Sequence, residues 1–436
     1  MQAALTLYLL LSLLLLQFAS ALNNGLAKLP PMGWMSWSRF FCETNCAAHP
    51  TACINEQLYQ GQADRLVSDG FKDVGYTHIH IDDCWSEKSR GKHGELIPDR
   101  KRFSSGIPAL VDYMHKRGLK LGIYGDVGIY TCAGYPASHN NEEIDARTFA
   151  DWNVDYLKFD GCNLDIPELR KGYPLFYEHL NATGKPIIYS CEWPLYEYEH
   201  KYPSNYTAIS ATCNLFRNYH DVANSYDSVL DIIRYYVANQ NDYIPFHGPG
   251  SWFDPDMLVI GNGLTEAESR SQMAVWSAWS APLIMSNDLR VLEAPLRKIL
   301  QNRDVIAVDQ DPLGIMGKMV QTVNDVFVFV KPMTPFVAKE RRFSFAIVCM
   351  NQSKDTKARR LLLSIRILSL QETILKFSQL NMTNADGYEL KNLWTGEVVG
   401  VKKPADEYAV RIGGHDAAMF KATLVNKLND ARSHYA

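Results

Sequence analysis

Aspartates and glutamates recur in this sequence where short apolar segments end. The clearest case is Asp155–Cys162, which reads D-Y-L-K-F-D-G-C: an apolar strand pattern interrupted by Lys158 and followed by Asp160 and a glycine. Because side chains alternate along a strand, Lys158 and Asp160 point to the same side. A buried lysine needs a negative partner nearby, so one interpretation is a structural ion pair. The other is a reactive carboxylate that the cation keeps ionised.

The same arrangement recurs along the chain, which favours the functional interpretation. A single carboxylate at a strand end is most often the N-cap of the next helix, but capping alone does not explain so many ends. The reactive residues at or just past these ends are Trp37, Asp82, Asp83, Tyr124, Asp126, Lys158, Asp160, Glu192, Arg217, Asp221, Asp254, Asp256, Asn287 and Asp288. With the aromatic Trp193 and Tyr196 added, this composition suits a sugar, since charged groups bind hydroxyls and rings pack on the apolar sugar faces.

Glycoside hydrolysis needs two carboxyl groups that flank the scissile bond. Asp160 is the better nucleophile, because the cation of Lys158 keeps its carboxylate ionised. Asp221 follows a different strand and is the better acid/base, since a loop position can reach the leaving oxygen. The residues alone also allow these roles to be exchanged with the pair Asp82 and Asp83.

Short apolar segments alternate with helix-like patterns, which predicts βα units and a parallel sheet. Eight such units fit an α/β fold of the (β/α)8 TIM-barrel type better than an open doubly wound sheet, and no G-x-G-x-x-G follows the first segment. The predicted strands are Met32–Trp37, His78–Asp83, Leu119–Asp126, Tyr156–Gly161, Ile187–Glu192, Ala211–Arg217, Tyr243–Pro249 and Leu283–Asp288. The predicted helices include Glu56–Ser68, Gly106–Arg117, Ala146–Trp152, Ser225–Asn239 and Glu266–Trp279.

The chain changes character after Gly314. Short β-prone segments separated by Gly, Asn and Asp predict a C-terminal antiparallel β-sandwich, so we divide the chain into a catalytic barrel over 22–314 and a second domain over 315–436. The predicted strands there are Val320–Pro332, Phe343–Met350, Arg360–Ile367, Thr373–Leu380, Leu390–Val399 and Tyr408–Leu424. Few acidic and aromatic residues cluster in this part, so we expect it to be structural or accessory.

The N-terminus and the cysteines indicate a secretory route. Leu5–Phe18 is an almost unbroken apolar run, and Ala19-Ser20-Ala21 is a small-x-small cleavage site, so residues 1–21 are predicted to be a signal peptide. An uncleaved membrane anchor is the alternative, but the run is short for a bilayer span. Nine cysteines and four glycosylation sequons agree with a secreted or lysosomal glycoprotein; the sequons lie at Asn181, Asn205, Asn351 and Asn381. The net charge of −4 gives no sign of a nucleic-acid partner.

Motifs from residue 32 to residue 314 follow one another in the order of a known family. They are M-G-W-M-S-W at Met32–Trp37, I-D-D-C-W at Ile81–Trp85, K-L-G-I-Y-G-D-V-G at Lys120–Gly128, T-C-A-G-Y-P at Thr131–Pro136, D-Y-L-K-F-D-G-C at Asp155–Cys162, Y-S-C-E-W-P-L-Y at Tyr189–Tyr196, R-N-Y-H-D at Arg217–Asp221, D-P-D-M-L-V-I-G-N at Asp254–Asn262, A-P-L-I-M-S-N-D-L-R at Ala281–Arg290 and V-D-Q-D-P-L-G at Val308–Gly314. The chain resembles the animal α-galactosidase/α-N-acetylgalactosaminidase family, glycoside hydrolase family 27.

The resemblance implies a retaining exo-glycosidase on a (β/α)8 barrel, a homodimer, and neither a metal ion nor another cofactor. Asp160 matches the family's nucleophile and Asp221 its acid/base. The other matched positions would bind the sugar: Asp82 and Asp83 its 4- and 6-hydroxyls, Lys158 its 3- and 4-hydroxyls, Arg217 with Asp221 its 2-position, Trp37 and Tyr124 the walls, and Asp256 and Met257 the edge. Tyr196 is a further expected substrate-binding residue. The family's disulfides would carry over as Cys42–Cys84, Cys46–Cys53, Cys132–Cys162 and Cys191–Cys213. Cys349 would remain a buried free thiol.

Glu192 and Leu195 bear on the sugar's 2-position. They are bulky and fill the space of an N-acetyl group, whereas the N-acetylgalactosaminidases resemble C-S-W-P-A-Y at Cys191–Tyr196. We therefore expect removal of terminal α-linked galactose from oligosaccharides, glycoproteins and glycolipids. The alternatives are an α-N-acetylgalactosaminidase and a non-catalytic galactose-binding barrel, and the presence of both Asp160 and Asp221 disfavours the second.

Three residues depart from the family pattern. Ser38 stands where a glutamate is usual, His220 stands before Asp221 where small or acidic residues are usual, and Phe253 replaces an asparagine. We expect His220 to shift the pKa of the acid/base and Phe253 to narrow the side of the site that holds the leaving group.

Overall fold

The computed structural model of the chain describes residues 22–354 and 370–426. Within it, eight parallel strands form one sheet in the order β7-β6-β5-β4-β3-β2-β1-β8. These strands are β1 (Met32–Met35), β2 (His78–His80), β3 (Lys120–Asp126), β4 (Tyr156–Asp160), β5 (Ile188–Cys191), β6 (Leu215–Arg217), β7 (Trp252–Asp254) and β8 (Leu283–Met285). Strands consecutive in sequence are neighbours in the sheet, which confirms the predicted (β/α)8 TIM barrel. The predicted signal peptide over 1–21 and the predicted strand Arg360–Ile367 lie outside the described residues.

The barrel closes through a residue just beyond β7. Strand β8 pairs with β1 on one side. On its other side, Leu258 N donates to Ile284 O at 2.8 Å, and Ser286 N donates to Leu258 O at 2.9 Å. The turn Asp254–Asp256 therefore lies inside the ring of strand ends, where it can contribute to a site.

Helices cover the outside of the barrel between the strands. They are α1 (Trp37–Phe40), α2 (Glu56–Ser68), α3 (Gly106–His115), α4 (Glu142–Asp151), α5 (Ile166–Ala182), α6 (Trp193–Glu199), α7 (Tyr206–Thr212), α8 (Tyr226–Tyr243), α9 (Glu266–Trp279), α10 (Ala294–Leu300) and α11 (Arg303–Asp309). Two helices have the predicted bounds because their caps are readable: Asn55 accepts from Leu58 N before α2, and Thr265 forms a capping box with Glu268 before α9. No described helix has both the length and the apolar character that crossing a bilayer requires.

One predicted strand is wrong and another is too long. The segment Tyr243–Pro249 contains the end of α8, a 3-10 turn over Ile244–Phe246 and a loop. Its apolar residues continue the buried face of the helix, and its two prolines lack the N–H that a central strand must donate. The seventh strand is Trp252–Asp254 instead. The predicted strand Ala211–Arg217 likewise starts inside α7, so only its second half is strand.

The C-terminal part is built from antiparallel strands. They are β9 (Lys318–Val323), β10 (Val326–Val337), β11 (Arg342–Asn351), β12 (Gln371–Lys376), β13 (Tyr388–Asn392), β14 (Val398–Lys402), β15 (Glu407–Ile412) and β16 (Ala417–Leu424). Six of them form a sheet in the order β14-β13-β16-β11-β10-β9, and β12 pairs with β15. Val320–Pro332, predicted as one strand, is a hairpin, because Asn324 and Asp325 adopt positive φ and turn the chain.

Alternate residues of β10 serve two different cores. Val326, Val328 and Val330 are buried in the core that the six-stranded sheet shares with β12 and β15. Phe327 and Phe329 point the other way and belong to the barrel's core, with the ring of Phe329 6.0 Å from that of Trp279 on α9. Because successive side chains of a strand point to opposite faces, β10 packs against both cores and attaches the second sheet to the barrel.

Four disulfides brace the loops that follow the barrel strands. The structure joins Cys42 to Cys84, Cys46 to Cys53, Cys132 to Cys162, and Cys191 to Cys213, the pairs that the family resemblance implies. Cys349 on β11 is a free, fully buried cysteine. Burial raises the pKa of its thiol to about 12, so it is an inert packing residue.

Lys331 lies on the barrel-facing side of β10, and its ammonium group contacts the C-terminal ends of two helices. Its ammonium is fully buried and donates to Ser277 O at 3.4 Å, to Val308 O at 2.6 Å and to the Ser280 hydroxyl. These acceptors lie at the ends of α9 and α11, where carbonyls lack helical partners and the helix dipole is negative. Burial lowers the pKa of Lys331 to about 8, while Asp309 and Asp311 oppose the shift.

Replacing Lys331 with Met should lower the free energy of unfolding by about 2–4 kcal/mol, since two helix ends lose their buried donor. Urea denaturation followed by tryptophan fluorescence measures this. Lys376→Met is the matched control, because its ion pair with Glu407 is about half exposed and contributes little. Equal stability of the two variants would show that Lys331 does not hold the sheet to the helices.

Candidate active site

A cavity of about 460 Å³ opens at the carboxyl ends of the barrel strands. It is lined by Trp37, Asp82, Asp83, Tyr124, Cys132, Lys158, Asp160, Cys162, Glu192, Leu195, Tyr196, Glu199, His220 and Asp221. The predicted site residues Arg217, Asp256 and Met257 line a smaller adjoining space below it, which shares Lys158 and Glu192 with the cavity. The ends of strands distant in sequence therefore meet in one place, as the strand-end pattern predicts.

Asp160 is held by donors on both of its carboxylate oxygens. The hydroxyl of Tyr196 donates to Oδ1 at 2.6 Å and that of Tyr124 donates to Oδ2 at 2.8 Å, while Gly161 N donates to Oδ1 at 2.9 Å. Burial and the negative charge of Asp160 raise the pKa of both tyrosines, so their hydroxyls stay protonated. Gly161 is required here, because a Cβ at this position would stand 2.7 Å from the Tyr196 ring.

Lys158 forms ion pairs with carboxylates that follow other strands, and not with Asp160 on its own strand. Its Nζ lies 2.9 Å from Asp82 Oδ2 and 3.5 Å from Glu192 Oε1. The expected direct pair between Lys158 and Asp160 is therefore wrong, although Asp160 still contributes to the field around the cation. Burial alone would lower the pKa of Lys158, but the carboxylates of Asp82 and Glu192 outweigh it and raise the pKa.

Arg217 is the second buried cation, and it contacts three carboxylates. Its guanidinium lies 3.2 Å from Glu192, 3.3 Å from Asp256 and 2.6 Å from Asp221. Asp256 also accepts from Val222 N at 2.8 Å, so it fixes the loop that carries Asp221. Arg217 and Asp256 therefore shape the site from below.

Asp221 stands at the mouth of the cavity. Its side chain is 58% exposed, whereas those of Arg217 and Glu192 are 4% exposed. Burial would raise the pKa of Asp221, but the cations Arg217 and Lys158 outweigh it and lower the pKa. At neutral pH this carboxyl is therefore ionised and paired with Arg217.

Asp82 and Asp83 follow β2 and differ in how their oxygens are used. Asp82 binds Lys158, as above, and accepts from the backbone N–H of Asp83. Asp83 accepts from Cys84 N with one oxygen and from Ala133 N, 3.1 Å away, with the other. Burial raises the pKa of Asp83 to about 6. Burial also raises the pKa of Asp254, in the space below, to about 6, although Arg217 opposes the shift.

One cavity wall is the disulfide between Cys132 and Cys162. Asp126, at the end of β3, accepts from Gly128 N at 2.6 Å and from Cys162 N at 3.1 Å and so ties this wall to β3. The two sulfurs lie close enough to Asp126 and Asp160 to resemble a metal-ligand group. They are bonded to each other, however, so no thiolate is offered to a metal.

The cavity includes Glu199, which the sequence analysis did not identify, while two aromatic residues that were expected near the site, Trp193 and Phe253, do not line it. Glu199 ends α6 and lies on the same face as Leu195 and Tyr196; a helix predicted over Trp193–Glu199 would have indicated this. Trp193 faces away and stacks on Tyr173. Phe253 packs outside the barrel against Phe216 and Tyr243, with ring centroids 4.6 and 4.4 Å apart, so the expectation that it narrows the site is wrong.

The other two departures from the family pattern, Ser38 and His220, lie beside or on the loop that carries Asp221. Ser38 is buried, and its hydroxyl donates to Val222 O at 3.4 Å, so it supports the loop that carries Asp221. His220 lines the cavity next to Asp221 and contributes to lowering the pKa of that carboxyl. Neither departure removes Asp160 or Asp221.

The fold and the site together define a glycoside hydrolase. A polar cavity at the carboxyl face of a TIM barrel holds several carboxylates, two cations and aromatic walls, which is a surface for binding a sugar and cleaving its glycosidic bond. A model of the family described as alpha galactosidase A matches residues 29–311. The chain belongs to this α-galactosidase A family.

Individual relatives extend the match over most of the chain. The α-N-acetylgalactosaminidase of Gallus gallus is 43% identical over 413 residues, 93% of this chain and 97% of that protein. The α-galactosidase A of Homo sapiens is 48% identical over 318 residues, 72% of this chain and 74% of that protein. The crystal structure of α-galactosidase I from Mortierella vinacea aligns with a TM-score of 0.78 and 27% identity, covering 92% of this chain and 98% of that one.

Replacing Tyr196 with Phe should lower kcat/KM for an aryl α-galactoside by about 10–100-fold, since a charge-assisted hydrogen bond to Asp160 is lost. Steady-state kinetics measures this, with circular dichroism as the check on folding. Tyr113→Phe is the control, because the Tyr113 hydroxyl donates to Asp64 on the surface and far from the cavity. Unchanged kinetics in Tyr196→Phe would mean that this hydrogen bond does not position the carboxylate.

Proposed function

We propose that Asp160 is the nucleophile and Asp221 the acid/base of a retaining exo-glycosidase that removes terminal α-linked galactose. The observation that carries this assignment is the double anchoring of Asp160. Two tyrosine hydroxyls fix both of its oxygens at the inner part of the cavity, while Asp221 stands at the mouth on the loop after another strand. The pair Asp82 and Asp83 suits sugar binding better, because Asp82 pairs with Lys158 and Asp83 accepts from backbone amides, and neither is positioned between two tyrosine hydroxyls as Asp160 is.

The reaction follows from these positions. Asp160 attacks the anomeric carbon while Asp221 gives a proton to the leaving oxygen, which forms a covalent galactosyl-enzyme. Asp221 then takes a proton from water, which attacks the same carbon and releases galactose with its configuration retained. The ion pair with Arg217 lowers the pKa of Asp221, so little of this carboxyl is protonated at neutral pH, and the protonated fraction that can donate grows as the pH falls. Acidic conditions therefore favour the first step.

The sugar would be held by the buried polar residues of the inner cavity. Asp82, Asp83 and Lys158 would bind hydroxyls, and Trp37 and Tyr124 would form the walls. At the 2-position, Glu192 is 3% and Leu195 4% exposed, so both are firmly packed and leave little room for an N-acetyl group. Since relatives of both specificities match the chain, this pair of residues is the basis for preferring galactose.

We further propose that the protein is a lysosomal or secreted glycoprotein and a homodimer, with the signal peptide cleaved after Ala21 and domains over 22–314 and 315–436. Acid-favoured chemistry and four disulfides support the compartment. The sequons at Asn181, Asn205 and Asn381 are exposed and suit glycans. The structure argues against the predicted glycan on Asn351, because its amide is buried and donates to Gly413 O at 2.9 Å.

Replacing Asp160 with Asn should lower kcat at least about 10³-fold on every α-galactoside, since the nucleophile is lost. Replacing Asp221 with Asn should cost about 10²–10⁴-fold with an alkyl leaving group and far less with a dinitrophenyl group, which needs no proton. In that second variant the galactosyl-enzyme should accumulate and be visible by intact-protein mass spectrometry.

Asp64→Asn is the control for these variants, since Asp64 is an exposed partner of Arg117. Full turnover by Asp160→Asn would contradict the mechanism. Tight galactose binding by a wild-type protein with no turnover would instead indicate the galactose-binding barrel.

Replacing Leu195 with Ala should raise kcat/KM for an aryl α-N-acetylgalactosaminide at least about tenfold relative to the galactoside, because the cavity gains room at the 2-position. Glu192→Ser is a poorer test, since it leaves Lys158 and Arg217 without a shared buried carboxylate and destabilises the fold. Leu175→Ala, on the exposed side of α5, is the control. A wild-type preference for the N-acetylgalactosaminide would contradict the galactose assignment.

A further inference from the structure

The cavity changes character from its inner end to its mouth. The side chains of Asp82 and Lys158 are 2% and 11% exposed, whereas those of Glu199 and His220 are 39% and 51% exposed. All four line the same space. If the terminal sugar occupies the buried end, as the proposed function requires, the leaving group lies toward the mouth, where Glu199 and His220 line the cavity.

Glu199 and His220 meet across two segments of the chain. Glu199 is the last residue of α6 and is separated from Leu195 by one helical turn, so the helix presents both side chains to the cavity. His220 lies on the loop after β6, immediately before Asp221. Its Nδ1 lies 3.3 Å from Glu199 Oε1. The rim of the mouth is therefore a bridge between α6 and the loop that carries the acid/base.

Aromatic rings hold the imidazole of His220 in this position. The ring of Tyr219 lies 4.6 Å from it and that of Tyr198 lies 5.4 Å from it in an edge arrangement. Tyr219 in turn stacks on Tyr235 of α8 with centroids 3.9 Å apart, and its hydroxyl donates to Asp231. The histidine is thus packed on a fixed aromatic surface although half of it faces solvent, which favours a binding function.

The pairing between the two side chains uses one carboxylate oxygen and one ring nitrogen. Glu199 Oε2 and His220 Nε2 make no hydrogen bond within the part of the chain that the structure describes, and both belong to a cavity wall. A carboxylate oxygen beside a ring nitrogen matches two neighbouring hydroxyls of a sugar. One hydroxyl can donate to Glu199 Oε2, and the other can donate to or accept from His220 Nε2. An acyl chain or a plain aryl ring offers neither.

We propose that Glu199 and His220 form a leaving-group subsite that binds the hydroxyls of a second sugar ring. The proposal rests on the proposed function, because it needs the terminal sugar at the inner end. The subsite gives the enzyme a preference for α-galactosides whose galactose is attached to another sugar. Since the family pattern has small or acidic residues at position 220, this subsite belongs to the present chain.

The test compares three substrates: galactosyl-α-1,6-glucose, methyl α-galactoside and an aryl α-galactoside. The first two have alkoxide leaving groups that need the same proton from Asp221, but only the disaccharide carries a second sugar. In Glu199→Gln and His220→Ala, kcat/KM for the disaccharide should fall about tenfold relative to methyl α-galactoside, mainly through KM. Because His220 also contributes to the pKa of Asp221, an effect of His220→Ala on that acidity acts equally on the disaccharide and on methyl α-galactoside and leaves the ratio of their kcat/KM values unchanged.

A matched pair of controls exists on the surface. Glu43 and His49 form an ion pair of the same kind, 2.7 Å apart, outside the cavity, so Glu43→Gln and His49→Ala should leave all three substrates unaffected. An equal fall for the disaccharide and methyl α-galactoside would overturn the subsite, because the pair would then act through the acidity of Asp221. No change on any substrate would also overturn it. Wild-type inactivity on all three would instead reject the proposed function.

Discussion

The balance of buried charge is the constraint on which the rest of this site depends. Lys158 and Arg217 lie in the barrel interior, and the carboxylate of Glu192 lies between them as a shared partner. Each cation also binds a further acid, Asp82 for Lys158 and Asp256 for Arg217. Removing one charged residue of this network leaves its partner charged and unpaired in the protein interior, which solvates charge poorly. Stability and catalysis are therefore coupled, and a change of specificity at Glu192 would require a compensating change at a cation.

The barrel brings these charges together because its strand ends converge. Parallel register places Tyr124 beside Lys158 and Asp126 beside Asp160 on neighbouring strands, so one pair of strands supplies a wall, a cation and the proposed nucleophile. The disulfide between Cys132 and Cys162 links the loops after the same two strands. Rigidity of this kind lets the tyrosines aim their hydroxyls at Asp160 before substrate arrives, which reduces the reorganisation that the reaction needs.

Much of this arrangement could be predicted, and the exceptions have physical causes. The barrel and the location of the cavity could be predicted from apolar segments that end in acidic residues, because each segment and its acid are adjacent in sequence. The partner of Lys158 could not be predicted, since its nearest acid comes from a strand 76 residues away and depends on how the barrel closes. Helix Ile166–Ala182 was not among the predicted helices and contains Pro174, which weakens a helical pattern. Glu199 was missed with the short helix that carries it.

Strand β10 restricts where insertions and deletions can occur in this protein. Its valines fill one core, while its phenylalanines and Lys331 reach the other. Inserting or deleting one residue within Val326–Lys331 would reverse every side chain that follows and send the lysine into an apolar core. Length variation should therefore be confined to the turns on either side of this strand, and homologues can be aligned across it without gaps. Recombination between members of the family would likewise have to keep β10 and helix Glu266–Trp279 from the same parent.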